Sequence, residues 1–308
     1  MDDISNFLST RYPDYECILV GCRSQLHYKS YECCEYDIIL LKPGAYDKFD
    51  GGREKNKLLP LNDKNLRLMF YNVENFAQNN DINFQHYIRL TNSTFKYHTL
   101  DYFNEKKLQN QKKFPVYLKR HLFQMALDCT SLIKQLSKNI LDQNSSSFYV
   151  KMLSFEVLKS MIVKYHHQHP SPSHLKYQIN ELRDNIPRIK TAIDLLSNSL
   201  EIERSNVSTV SRSSKSLMSL LEISNINNME MNLFQSKLSF FMSKSMYVDG
   251  NLLLHSFIQR QNFNYVFIDS YKKLLNLILD TQIQEKSHQI KELYSLFDLI
   301  KNLIKNSY

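Results

Sequence analysis

The chain has 308 residues, 43% of them hydrophobic and 23% charged, which excludes a disordered chain and allows one large or two ordinary domains. With 39 basic against 31 acidic residues it carries a net charge of +8 and a pI near 9.0, a balance that suits a phosphate-bearing partner. No run approaches the length of a membrane span, the N-terminus lacks a basic-then-apolar leader, and the cysteines are odd in number at 5, so the sequence predicts a cytoplasmic protein with buried free thiols.

Only 5 Gly and 7 Pro argue for long regular elements, mostly helices. Asp2 and Asp3 precede Ile4, Phe7 and Leu8, an apolar stripe that predicts a short helix closed by Tyr12-Pro13-Asp14. Residues 16–21 read as a first strand. Residues 23–34 read as a short helix and loop, and 36–42 as a second strand stopped by Pro43-Gly44. Residues 43–57, with Gly51-Gly52, read as loop. A third strand is expected over 66–73, where Leu68 and Phe70 alternate with Arg67, Met69 and Tyr71, and a weaker fourth over 86–98.

After about residue 100 the pattern turns helical. A basic run from Lys106 to Arg120, interleaved with Phe103, Phe114 and Tyr117, reads as a solvated interdomain connection or, in its functional reading, as a guide for RNA. Leu122 to Ile140 form an apolar stripe that ends at the polar Asn144-Ser145-Ser146-Ser147, and 148–165 form the next helix. Ser171-Pro172 predicts a helix cap and first residue. Further helices are expected over 187–202, 214–222, 229–247, 251–281 (broken near Gln261) and 284–305, with Ser-rich 205–216 as a loop. His166, His167, His169 and His174 lack ligand spacing on a continuous helix and read as surface histidines around a loop.

The chemistry-bearing stretch is Val20-Gly21-Cys22-Arg23-Ser24, followed after Cys34 by Glu35-Tyr36-Asp37-Ile38. Glu35 and Asp37 are two residues apart, so in extended chain they share a face. Two adjacent carboxylates need a positive neighbour, and Mg²⁺ is the usual one. A Gly turn just before them allows a phosphate chain to approach the backbone.

This stretch resembles the signature of the DNA polymerase β-like nucleotidyltransferase superfamily, in its small kanamycin-nucleotidyltransferase-like branch. The shared parts are Val20-Gly21-Cys22, a spacer of twelve residues, and Glu35-Tyr36-Asp37-Ile38. The departures are Cys22 where the family usually has Ser and Glu35 where it usually has Asp. The resemblance covers roughly the first hundred residues. It implies an α+β protein: a nucleotidyltransferase-like mixed-sheet head over 1–100 and an all-helical substrate or partner domain over 101–308.

The resemblance also implies that Glu35 and Asp37 hold Mg²⁺ and that Gly21, Cys22, Arg23 and Ser24 hold the phosphates of a nucleotide triphosphate. The expected reaction is transfer of a nucleoside monophosphate to an RNA, protein or other acceptor. The family's third carboxylate falls at Leu66-Arg67-Leu68, where this chain has Arg67. Asp63 and Glu74 are its nearest substitutes. Two readings stay open: a divergent active transferase, or a head that keeps the fold and binds without catalysing, its guanidinium taking the place of the metal.

Overall fold

The structure is a computed structural model that describes residues 2–24, 30–42, 55–72, 94–97, 101–223, 228–260 and 265–305. The chain divides into two compact units. The first comprises Met1–Phe114 with His167–Ser171, the second Pro115–His166 with Pro172–Tyr308. The architecture is the expected α+β layout, a small mixed sheet followed by a mostly helical region.

In the first unit, helix α1 (Asp2–Arg11) precedes strands β1 (Glu16–Val20), β2 (Tyr36–Lys42), β3 (Lys55–Leu61), β4 (Lys64–Asn72) and β5 (Thr94–Tyr97). The spatial order is β3-β4-β2-β1-β5. Only β2 and β4 run parallel; the other pairs are antiparallel. Strand alternation sorts the two faces. Cys17, Leu19, Ile38, Leu40, Leu66 and Leu68 form one buried face together with Ile4 and Leu8 of α1. That burial explains why the Ile4/Leu8 stripe forms a helix, each side chain contributing roughly 1.5–3 kcal/mol. Tyr12, Tyr15 and Phe70 close its edge with T-shaped ring contacts. Ile18, Val20, Ile39 and Met69, all buried, lie on the other face with Asp37 and Arg67.

Strand β3 corrects the loop expected over 43–57, whose last three residues pair with β4. Asn62 and Asp63 make the two-residue hairpin turn, Asn62 at φ +54°, the left-handed conformation that Asn tolerates in such turns. Pro60 fits there because β3 is an edge strand. The weak fourth strand survives as Thr94–Tyr97. Residues 86–93, and Glu74, lie outside the described residues.

The helical region comprises α2 (Asp101–Ser137), α3 (Gln143–His166), α4 (Leu175–Asn185), α5 (Lys190–Ser199), α6 (Val207–Ile223), α7 (Asn228–Ser243), α8 (Tyr247–Arg260), α9 (Tyr265–Ile278) and α10 (Lys286–Lys305). Helix α3 is buried on nearly every side, its serines and Lys151 included, and is the central rod; α4, α5, α8, α9 and α10 pack around it. The basic run lies within α2, where Arg120 is exposed, Phe114 and Tyr117 are half-buried and Leu118 is buried.

Three boundaries differ from the sequence reading. The 144–147 segment belongs to the first turns of α3 rather than preceding a helix that starts at 148, because Asp142 caps it. Its Oδ1 accepts from the Asn144 and Ser145 amides at 2.9 and 3.1 Å, and its Oδ2 from Lys272 at 2.8 Å. The Ser-rich segment is helix α6, because Asn206 Oδ1 accepts from the Ser208 and Thr209 amides while Thr209 Oγ1 accepts from the Asn206 amide. Ser171-Pro172 does not cap α4, since a turn intervenes and the helix starts at Leu175.

The Asp142 cap gives a pH-dependent prediction. Burial alone pushes its carboxyl up, but the bonds from Lys272, Ser145 and Asn144 outweigh that and hold it at about 2. A depressed carboxyl stabilises the fold above its unfolded value and loses that contribution as pH falls toward 2. Asp142→Ala should therefore cost about 1 kcal/mol at neutral pH and much less near pH 2. Urea denaturation at the two pH values checks it, and an equal cost at both would exclude the cap as the cause.

Candidate functional site

The site builds from sheet register. Asp37 on β2 stands opposite Val20 of β1 and beside Arg67 of β4. Glu35, just before β2, shares the Asp37 face by the two-residue period. The structure therefore brings both predicted acids to one place, at the end of β1 that leads into Gly21.

Arg67 completes the group. Its Nη2 lies 3.5 Å from Glu35 Oε1 and its Nε lies 3.8 Å from Asp37 Oδ1. Glu35 and Arg67 are both buried, each 7% exposed. A guanidinium at that depth is held by the two carboxylates, and removing either charge would leave the rest uncompensated. The position that the resemblance gives to a third acid thus carries the opposite charge. Asp63, one candidate substitute, is exposed in the β3–β4 hairpin turn. Two carboxylates already sharing a buried cation do not fit a Mg²⁺ pair, whose two-plus charges need acids rather than a guanidinium.

Gly21 sits at φ +78°, and a Cβ there would stand 2.6 Å from Asp37 Oδ2. The turn and the acid are therefore in contact, and only glycine satisfies both the backbone and the space. Gly21→Ala is expected to lose about 1–3 kcal/mol from the backbone conformation alone, with a further loss from pushing Asp37 off Arg67. Chemical denaturation measures it. A cost below about 0.5 kcal/mol would show that the turn relaxes freely.

The other turn residues point to holding roles. Ser24 Oγ and its amide both donate to Gly21 O, at 2.7 and 3.2 Å, closing a 3-10 turn over Cys22–Ser24. Arg23, for which the resemblance implies a phosphate contact, lies apart from the acids. Its Nε donates to Cys34 O at 2.8 Å, its Nη2 lies within bonding distance of Tyr31 O and Glu32 O, and its guanidinium rests 4.2 Å from the Tyr36 ring centroid. Tyr36 alternates with Asp37 and packs at the edge of the α1 face, which puts Arg23 on the far side of the strand. Its work is to brace the turn that delivers Glu35.

All five cysteines are free thiols, four of them buried. Sequence reasoning did not pair Cys22 with Cys34, although their sulfurs lie within 4.8 Å of each other. The Cys34 contact first, then burial and the charges of Asp37 and Glu35, push the Cys22 thiol far up, so it stays protonated. A neutral thiol is a weak donor to a phosphate. Of the four histidines, His167 is exposed, its ring edge-on to Phe114 at 5.3 Å. His169 and His174 are buried, which corrects the surface reading. Neighbouring prolines restrict backbone direction but say nothing about depth.

Among the described residues no helix is long and apolar enough to cross a membrane. A scan against protein-family models returns no match, and no curated protein matches the chain in sequence.

Proposed function

We propose that this chain is a nucleotidyltransferase-like binding protein, one that holds a nucleotide or RNA through its basic surface without moving a nucleoside monophosphate. The single observation that carries this reading is the buried Arg67 guanidinium shared between Glu35 and Asp37. A metal-dependent transferase needs those carboxylates free to gather divalent cations on a triphosphate, and here their negative charge already serves a resident cation. The Arg23 guanidinium, engaged with Cys34 O and the Tyr36 ring, and the Cys22 thiol, a weaker donor than a hydroxyl, support it, because neither is a strong substitute for the missing phosphate donor. The net charge of +8 favours a phosphate-bearing partner by long-range attraction.

The test is calorimetric titration of the purified chain with each nucleoside triphosphate, with and without Mg²⁺. The expected result is that Mg²⁺ adds nothing to binding and that Asp37→Asn leaves the isotherms unchanged. Mg²⁺-dependent binding that disappears in a folded Asp37→Ala variant would overturn the reading and restore the active transferase.

A further inference from the structure

A second candidate site lies wholly within the helical region. A cleft of about 880 Å³ opens between the C-terminal half of α3, the 188–195 segment and the C-terminal half of α10. Its size falls in the range of small-molecule sites, roughly 300–1,000 Å³. Ala192, Leu195 and Leu299 supply apolar wall, while Arg188 and Lys305 stand exposed at its rim.

The cations are gathered here at a cost. The Tyr165 ring, part of the lining, has Lys164 Nζ at 5.4 Å and Arg188 Cζ at 5.9 Å from its centroid. Two like charges held around one ring repel each other, and burial together with Arg188 pushes Lys164 down to about 8. Lys164 also donates to Leu303 O at 2.5 Å, which anchors its ammonium at the cleft wall. Among the described lining residues Asp298 is the one acid. Two rim cations, Arg188 and Lys305, against one acid, Asp298, over apolar walls favour an anion with an apolar part.

We infer that this cleft binds a nucleoside phosphate, with its phosphates between Arg188 and Lys305 and its nucleoside against the apolar wall. The inference rests on the helical region alone and does not depend on the fate of Glu35 and Asp37. An anion placed there would relieve the repulsion between Lys164 and Arg188, and the walls would exclude water from the base.

The experiment titrates the full chain with ATP in the presence of EDTA, with adenosine as the uncharged control. Saturable ATP binding is expected, weakened at least about tenfold by Arg188→Glu, weakened to a smaller degree by Lys305→Glu and unchanged by Asp128→Asn at an exposed position of α2. Circular dichroism confirms that the variants are folded; Arg188 is exposed, so its reversal should not disturb packing. Several outcomes overturn the inference: no saturable binding, ATP binding indifferent to Arg188→Glu, adenosine binding as tightly as ATP, or binding of RNA oligonucleotides without any mononucleotide. Sensitivity to Asp37 in the presence of Mg²⁺ would instead count against the proposed function of the head, so the two failures are separable.

Discussion

Replacing Arg67 by alanine is expected to cost the fold about 3–5 kcal/mol, among the largest losses available to a single substitution in this chain. The guanidinium lies 3.5 Å from Glu35 and 3.8 Å from Asp37, and without it two carboxylates face each other with little water to screen them. Urea denaturation measures the loss. Two controls give the result its meaning. Arg67→Met combined with Glu35→Gln and Asp37→Asn should recover most of the stability, because no charge is then left unpaired. Mg²⁺ should raise the midpoint of Arg67→Ala, whose acids have lost their cation, and leave the wild type unmoved. A wild-type protein stabilised by Mg²⁺ would mean that the acids accept metal despite Arg67.

Lys151 should be nearly as sensitive. It is 2% exposed at the centre of α3, and its ammonium donates to Glu201 Oε2 at 2.6 Å and to Leu279 O at 2.7 Å. Burial pushes its proton affinity down, and the Glu201 charge opposes that shift. Nearby Glu292 is pushed up by burial, with the Glu201 charge adding to the effect. Lys151→Ala would leave Glu201 only the more exposed Arg204, whose Nη1 lies 3.1 Å from its Oε1, and would leave Leu279 O without its donor, at an expected loss of about 3 kcal/mol. A double-mutant cycle with Glu201→Gln separates the pair from the lost packing. If both single variants and the double variant lose stability additively, the ion pair is not what holds α3 to the 201–204 turn.

The two residues illustrate different degrees of legibility. Arg67 stood out in the sequence because a family pattern made an acid expected there, and the alternating 66–70 segment already placed it on a strand. Nothing in the sequence marked Lys151. A lysine in an apolar helix reads as the solvent-facing side until the other helices close around it, and its partners lie 50 and 128 residues away.

What the sequence by itself determined are the properties set by near neighbours. The continuous apolar run Ile38–Leu41 and the alternation over 66–70 specified strands, the period near 3.6 specified the long helices, and Val20-Gly21 marked a turn. The shared face of Glu35 and Asp37 follows from the same alternation. Two of the misread segments are those where capping decides: Asp142 and Asn206 turn serine-rich stretches into helix starts, and composition alone cannot distinguish a capped start from a loop. Tertiary structure alone decided which charges meet. The parallel pairing of β2 with β4 puts Arg67 beside Asp37, and the contact with Tyr36 commits Arg23 to the opposite side of β2. Register and packing are set by the sum of contacts between segments distant in the chain, and no local pattern encodes that sum.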